Sequence, residues 1–334
     1  MSYKDLTSLY REYTNTIYSS LINNEFLEKE SCELVKTRVV LVGFGSVGKE
    51  VICSVNDAPD MEMAGIIVRK PDKMESIKTE TGLPVAMDIT RLENVNVAIL
   101  AIPSRSVPVV APTLLEQGIS TVDCYDIHGE SLLDLYSVLE ESAVKGGVAA
   151  LTGAGWDPGT DSIFRGVFEL IAPKGITYTN FGPGISMGHT VAIKKIPGVK
   201  DAISLTLPIG HGLHKRAVYV VLKEGFDIND IRRRIFEDEY FQKDNTTVEP
   251  VEEIDSILDL GHGVRMERKG ASGKTYNQRM SFEMTVMNPA ATAQVMVSAA
   301  RGVVRQKPGC YTLLDIPIAD CLPGDHKSIL KRLV

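Results

Sequence analysis

The chain has 334 residues, enough for two domains of ordinary size, and its 44% apolar and 24% charged residues are those of a globular protein rather than a disordered one. A net charge of −7 argues against a nucleic-acid or anionic-membrane partner, since both favour a basic surface. No stretch approaches the roughly 18 apolar residues of a membrane span, and no signal-peptide apolar centre opens the chain, so a cytoplasmic protein is expected.

Residues 1–36 place Leu6, Leu9, Tyr10, Tyr13, Ile17 and Leu21 at spacings of three and four, which predicts an amphipathic helical arm. Beyond it, Arg38–Val42, Met61–Val68, Val95–Ala101, Ser120–Asp123 and Val148–Thr152 read as strands, with helices at Val47–Val55, Val107–Gln117 and Ser131–Val144 between them. That alternation predicts an α/β, Rossmann-type doubly wound parallel sheet over residues 37–155. After about residue 175 the pattern becomes antiparallel in style. In Met280–Val286, the residues Met280, Phe282, Met284 and Val286 share one face while Ser281, Glu283 and Thr285 share the other, as in a half-buried strand. Ser204–Leu207 and Ala217–Leu222 also read as strands, so residues 156–315 are expected to form a second, α+β domain with a mixed or antiparallel sheet. Arg232-Arg233-Arg234 reads as the wet face of a helix. Ala290–Val304 and Lys327–Leu333 are expected to be helices returning to the first domain, chiefly near 316–334.

The five cysteines are scattered and odd in number, without a C-x-x-C pair, so no disulfide framework is expected. His211 and His214 lie three apart without a third ligand nearby, and no metal site is expected.

Gly43-Phe44-Gly45-Ser46-Val47-Gly48 follows the first strand and opens a helix, the context that a dinucleotide fingerprint requires. Gly43 allows the tight turn, Gly45 lets a pyrophosphate approach the backbone, and Gly48 lets helix and strand pack closely. The second strand ends in Ile66-Ile67-Val68-Arg69-Lys70, two cations where an NAD enzyme usually places an acid, which favours NADP and its 2′-phosphate. Ile102, Pro103 and Ser104, after the third strand, are placed beneath the nicotinamide ribose, and Asp123 and Tyr125 are taken as further cofactor contacts. Gly155-Trp156-Asp157-Pro158-Gly159 leaves the buried run at Gly147–Thr152, and Pro158 stops strand pairing. Asp157 therefore lies on a loop at a strand's carboxyl end, where ligands bind; a helix cap is the alternative reading.

These segments, with Val122-Asp123-Cys124-Tyr125-Asp126-Ile127-His128, Phe181-Gly182-Pro183-Gly184-Ile185-Ser186-Met187-Gly188-His189-Thr190 and Ile196-Pro197-Gly198-Val199, closely resemble the meso-diaminopimelate D-dehydrogenase family from about Thr37 onward. The chain passes directly from Leu207-Pro208 to His214-Lys215-Arg216, where many members carry an insertion. It thus resembles the shorter, second type, whose members are described as broader in substrate. The resemblance implies oxidative deamination of the D-centre of meso-2,6-diaminopimelate in lysine and peptidoglycan-precursor metabolism, and a homodimer joined through the second domain. It puts Asp126 and Asp157 at the reacting amine, with Tyr125 and Trp156 walling that end. Phe181 takes an aromatic pocket position, Met187, Gly188 and His189 lie beside the substrate, and Thr206, Arg216, His262 and Asn288 hold the distal amino-acid end. The residues themselves suit these places, since Arg216 offers a planar fork for a carboxylate. Two rivals are a broader D-amino-acid dehydrogenase on the same scaffold and a non-catalytic NADP-binding regulator.

Overall fold

Short, wholly apolar runs separated by glycine turns and amphipathic helices build the first sheet. In chain order these are β1 (Thr37–Val42), α1 (Ser46–Asn56), β2 (Met61–Ile67), α2 (Met74–Thr81), β3 (Val85–Ala86), β4 (Val97–Leu100), α3 (Val107–Leu115), β5 (Ser120–Asp123), α4 (Glu130–Gly146) and β6 (Ala149–Leu151). The computed structural model describes residues 36–127, 129–238, 241–242, 245–255 and 262–334, apart from the side chains of Met187 and His262. The expected arm, up to residue 35, and His128 lie outside the described residues. Every pairing in this sheet is parallel. Along β1 successive side chains point to opposite layers: Val39 and Leu41 pack with Val51 and Val55 of α1, while Val40 and Val42 pack with Leu114 and Leu115 of α3 and Leu139 of α4. Each such buried aliphatic side chain contributes about 1.5–3 kcal/mol. Neither β3 nor α2 was anticipated, because β3 is a two-residue edge and α2 buries only Ile77.

The second part continues with α5 (Thr160–Ile171), β7 (Lys174–Phe181), β8 (Gly184–Ile185), α6 (Met187–Lys194), β9 (Val199–Gly210), β10 (Leu213–Leu222), α7 (Ile228–Glu237), β11 (Asn245–Pro250), β12 (His262–Ser272) and β13 (Thr275–Val286). It holds two sheets where one was expected: a mixed sheet in the order β11-β10-β9-β8 and an antiparallel sheet in the order β13-β12-β7. Pro183 has no N–H for a ladder, so the chain breaks between β7 and β8 and passes from one sheet to the other. The alternation of β13 is as read, with Met280, Phe282 and Met284 covered by the α5 side through Phe164 and Phe168. On α7 only Arg233 is exposed as expected; Arg232 and Arg234 are half-buried, Arg232 Nε donating to Val248 O at 2.9 Å, and the three pair with Asp230, Glu237 and Glu249.

The helix expected at Ala290–Val304 does return to the first sheet, so the expected boundary at 315 lies too late. Helix α8 (Ala290–Val303) is buried on most sides, and β14 (Gly309–Tyr311) pairs with β6. The first sheet thus runs β14-β6-β5-β4-β1-β2-β3. Ala293, Met296, Val297, Ala300 and Val303 share the core layer of Val39 and Leu41. The segment up to 315 is therefore not all in the second part, because the small residues of α8 fit closely against the sheet. The last helix, α9 (His326–Leu333), buries Ile329.

Candidate active site

At the end of β1 the chain turns through Gly43-Phe44-Gly45 into α1. Gly43 has φ +94, and a Cβ there would fall 2.5 Å from the carbonyl oxygen of Ala101 and 2.9 Å from Ile102 Cγ2, so the turn accepts only glycine. A Cβ on Gly48 would meet Gly43 O at 2.5 Å; its absence seats α1 on the sheet. Gly45 differs, because nothing lies within 4 Å of its missing Cβ. No side chain caps the helix and its first turn holds no acid. What remains is an open cradle of N–H groups at a positive helix end, which fits a pyrophosphate. The cradle lies where strand order reverses between β1 and β4, the usual ligand crevice of such sheets. Phe44 carries Lys49 Nζ over its ring at 5.1 Å, and Ser46 and Val47 open the helix. Arg69 and Lys70, beyond β2, are exposed.

A cavity of about 270 Å³ lies off the carboxyl ends of β5 and β6. Asp126, Trp156, Asp157 and Asn288 line it from the connections to the first sheet, and Phe181, Gly188, Thr206 and Arg216 line it from the second part. Asp126 follows β5, and Ser104 Oγ donates to its Oδ1 at 2.5 Å. A position foreseen for the cofactor thus holds a carboxylate of the cavity. Asp157 sits in a turn closed by Gly155 N–H donating to Pro158 O at 2.9 Å. Gly159, at φ +141, occupies the N-cap of α5, where a Cβ would fall 1.9 Å from Gly155 O. Asp157 is therefore not the cap, and it lines the cavity. Trp156 and Phe181 meet edge to face at 6.4 Å. Arg216 and Thr206 are directly opposed on β10 and β9, and Arg216 Nη1 donates to Thr206 Oγ1 at 2.9 Å. Asn288 lines the cavity, and its Oδ1 is buried with no hydrogen-bond partner among the described residues.

Three expected contacts fall elsewhere. Tyr125 is 5% exposed and packs in the first core, so Trp156 walls the cavity without it. Asp123 is fully buried, accepting from Tyr125 N, Thr152 Oγ1 and Gly153 N, and so ties two loops together rather than facing a cofactor. Desolvation pushes its carboxyl up to about 6. His189 is turned to Ser186 Oγ at 2.8 Å and lies edge-on to Phe241, bracing the start of α6. The side chains of Met187 and His262 are outside the description, although the backbone of His262 pairs with Val286. Sequence reasoning missed His214, which lines the cavity from β10, and Asp161 and Arg165, which stand behind Asp157. Cys124 is no nucleophile, since burial pushes its thiol up to about 12. No metal-holding group of side chains occurs among the described residues, and none of their helices is long and apolar enough to cross a membrane.

A parallel sheet with an open glycine cradle at its switch point, set beside a polar cavity, is the arrangement of a dinucleotide-binding protein with a substrate site. Residues 37–124 match the oxidoreductase family with an NAD-binding Rossmann fold, and residues 155–288 match the diaminopimelic acid dehydrogenase C-terminal domain. The meso-diaminopimelate D-dehydrogenase of Bacteroides fragilis is 47% identical over 304 residues, which cover 90% of this chain and 99% of that protein. Among solved structures, the C. glutamicum diaminopimelate dehydrogenase in complex with diaminopimelate superposes with a TM-score of 0.78 at 27% identity, covering 90% of this chain and all (100%) of that one. An engineered D-amino acid dehydrogenase bound to NADP+ gives 0.75 at 27% identity, covering 90% of this chain and 100% of that one. The chain belongs to the meso-diaminopimelate D-dehydrogenase family.

Proposed function

We propose that the protein catalyses the reversible, NADP-dependent oxidative deamination of the D-centre of meso-2,6-diaminopimelate, giving L-2-amino-6-oxopimelate and ammonia. The observation that carries this reading is that one cavity is lined both by two carboxylates, Asp126 and Asp157, from the ends of adjacent sheet strands and by a buried guanidinium, Arg216. In the reaction the ammonium loses a proton, the carbon loses a hydride, and water adds to the resulting imine before ammonia leaves. NADP, when bound, accepts the hydride. Asp126 and Asp157 bind the nitrogen and hold the reacting carbon in one orientation. Ser104 occupies one oxygen of Asp126 and leaves the other as a base toward nitrogen or water. Arg216 and Thr206 take the distal carboxylate, and Asn288 takes the L-centre ammonium. Met187, Gly188 and His262 complete this pocket on the family resemblance. The open cradle at Gly45 would hold the cofactor's pyrophosphate, and Arg69 and Lys70 would supply the cations for its 2′-phosphate.

NADPH formation from meso-diaminopimelate, with D-alanine and D-lysine as comparisons and NAD as the alternative cofactor, tests the reading. No turnover of the meso compound sinks it. Equal turnover of simple D-amino acids shifts it to the broader dehydrogenase, a possibility raised by the likeness to an engineered D-amino acid dehydrogenase. The proposal includes a cytoplasmic homodimer, which light scattering checks as twice the chain mass.

A further inference from the structure

Asp157 stands on a loop, and its carboxylate must keep both a direction and a charge to receive a cation. One of its oxygens, Oδ1, is buried and accepts no hydrogen bond from the described residues. Behind it lies Arg165 of α5, one Nη2 of which is 3.6 Å from Asp157 Oδ1 and 2.5 Å from Oδ2 of Asp161. Arg165 Nε also donates to Thr179 Oγ1 on β7 at 3.3 Å. Asp161 is 0% exposed, and it stands one helical turn before Arg165 on the same face. The guanidinium is thus shared unequally between two carboxylates, and the nearer one does not line the cavity.

We propose that Asp161 is a positioning residue for the reacting amine: by drawing Arg165 to itself, it keeps that cation from neutralising Asp157 and leaves Asp157 open to the substrate ammonium. The proposal rests on the reading of Asp157 as an amine-binding carboxylate. With both carboxylates ionised, the three side chains carry one net negative charge, which a bound ammonium balances. Without Asp161, Arg165 would close on Asp157 and fill the place of the substrate cation. Burial, and the Asp157 carboxylate beside it, push the Asp161 carboxyl up to about 8 against the opposing pull of Arg165. Among the described residues, the charged groups acting on it are these two, from the loop and from its own helix. The net negative form therefore grows as pH rises through about 8.

The test is steady-state oxidation of meso-diaminopimelate between about pH 6 and about pH 10 by the full-length enzyme and three variants. Above about pH 8, where Asp161 is ionised, Asp161→Asn is expected to raise KM about tenfold with a smaller change in kcat, and so to flatten the rise of kcat/KM through about 8. Adding Arg165→Met to Asp161→Asn should recover part of that KM, because the competing cation is gone. Arg165→Met alone should move the rise to higher pH, since a cation that favours ionisation has been removed. A merely structural role predicts the opposite pattern, with losses that add and a pH profile that does not move. A folded Asp161→Asn with wild-type KM and profile overturns the proposal, as does a double variant worse than either single one. If Asp161→Asn does not fold, the Arg165→Met profile decides, and an unshifted one overturns it. Wild-type enzyme inactive on the meso compound overturns the functional reading and this inference together, whereas active wild type with unmoved variants overturns the inference alone.

Discussion

Gly45 and Gly43 share one turn yet answer to different neighbours. Gly45 has φ −98, which any residue adopts, and open space over its α-carbon. Gly45→Val should therefore stay within about 0.5 kcal/mol of wild-type stability while dinucleotide affinity falls at least about tenfold. Gly43→Ala should instead destabilise the fold by about 1–3 kcal/mol, through φ +94 and a carbonyl 2.5 Å from the new methyl. Melting curves beside NADPH fluorescence titrations separate the two effects; equal melting losses would mean that the Gly45 face is not an open cradle. Arg69→Ala should lower NADP affinity about ten- to a hundredfold and leave NAD binding unchanged, and equal losses for both cofactors would remove the 2′-phosphate assignment. Asp126 and Asp157 were legible in the sequence because they sit in distinctive segments at strand ends, whereas Thr206, Arg216 and Asn288, which line the same cavity, came only from the family resemblance. Asp161 and Arg165 were not, since on paper they are ordinary positions of an amphipathic helix. Tyr125 and His189 were misread for a related reason: a motif gives a residue's position but not the direction in which its side chain points.

Among the elements, α8 is tied down by a buried polar cluster as well as by apolar packing. Arg301, 4% exposed, donates to Asp60 Oδ2 at 2.6 Å and Oδ1 at 2.7 Å, and to Cys321 O at 3.1 Å. Asp60→Asn leaves this guanidinium buried without a counter-charge and should cost about 3–5 kcal/mol, read as a lower urea midpoint. The hydrogen bond from Arg301 holds the Asp60 carboxyl below the usual range. Its contribution is therefore complete above about pH 4 and is lost as pH falls through that lowered value. A midpoint unchanged by the substitution would mean that water reaches Arg301. The strands and helices of the first sheet could be read from periodicity because each one buries a whole side or a whole length. The two-residue β3 and the three-residue β14 could not, since pairing to a neighbour defines them more than their own residues do. The split of the second part into two sheets hangs on the break at Pro183, which a strand pattern registers only as an interruption.

For the molecule as a whole, buried carboxyls set an unusual dependence on pH. Asp123 is raised to about 6 and Asp161 to about 8, both above their unfolded values near 4. A raised carboxyl binds a proton more tightly in the folded state, so its contribution is complete below about pH 4 and is lost as pH rises through the folded value. Stability should therefore decline between about pH 5 and about pH 8. For Asp123 the change is of order 3 kcal/mol, and Asp123→Asn should abolish that part of the slope. Urea midpoints across this range check it, and a wild-type curve that rises instead would place both carboxyls in water. The topology also bears on how the chain is made. The layer of the first sheet that contains Val39, Leu41, Val97, Ile99 and Leu151 is sealed by Ala293, Met296, Val297, Ala300 and Val303. During synthesis, every strand from β1 to β6 leaves the ribosome well before that seal exists. The nascent protein must then carry an open apolar face through the translation of the entire second part, and a chain stalled before α8 is the form that a chaperone or a protease would meet.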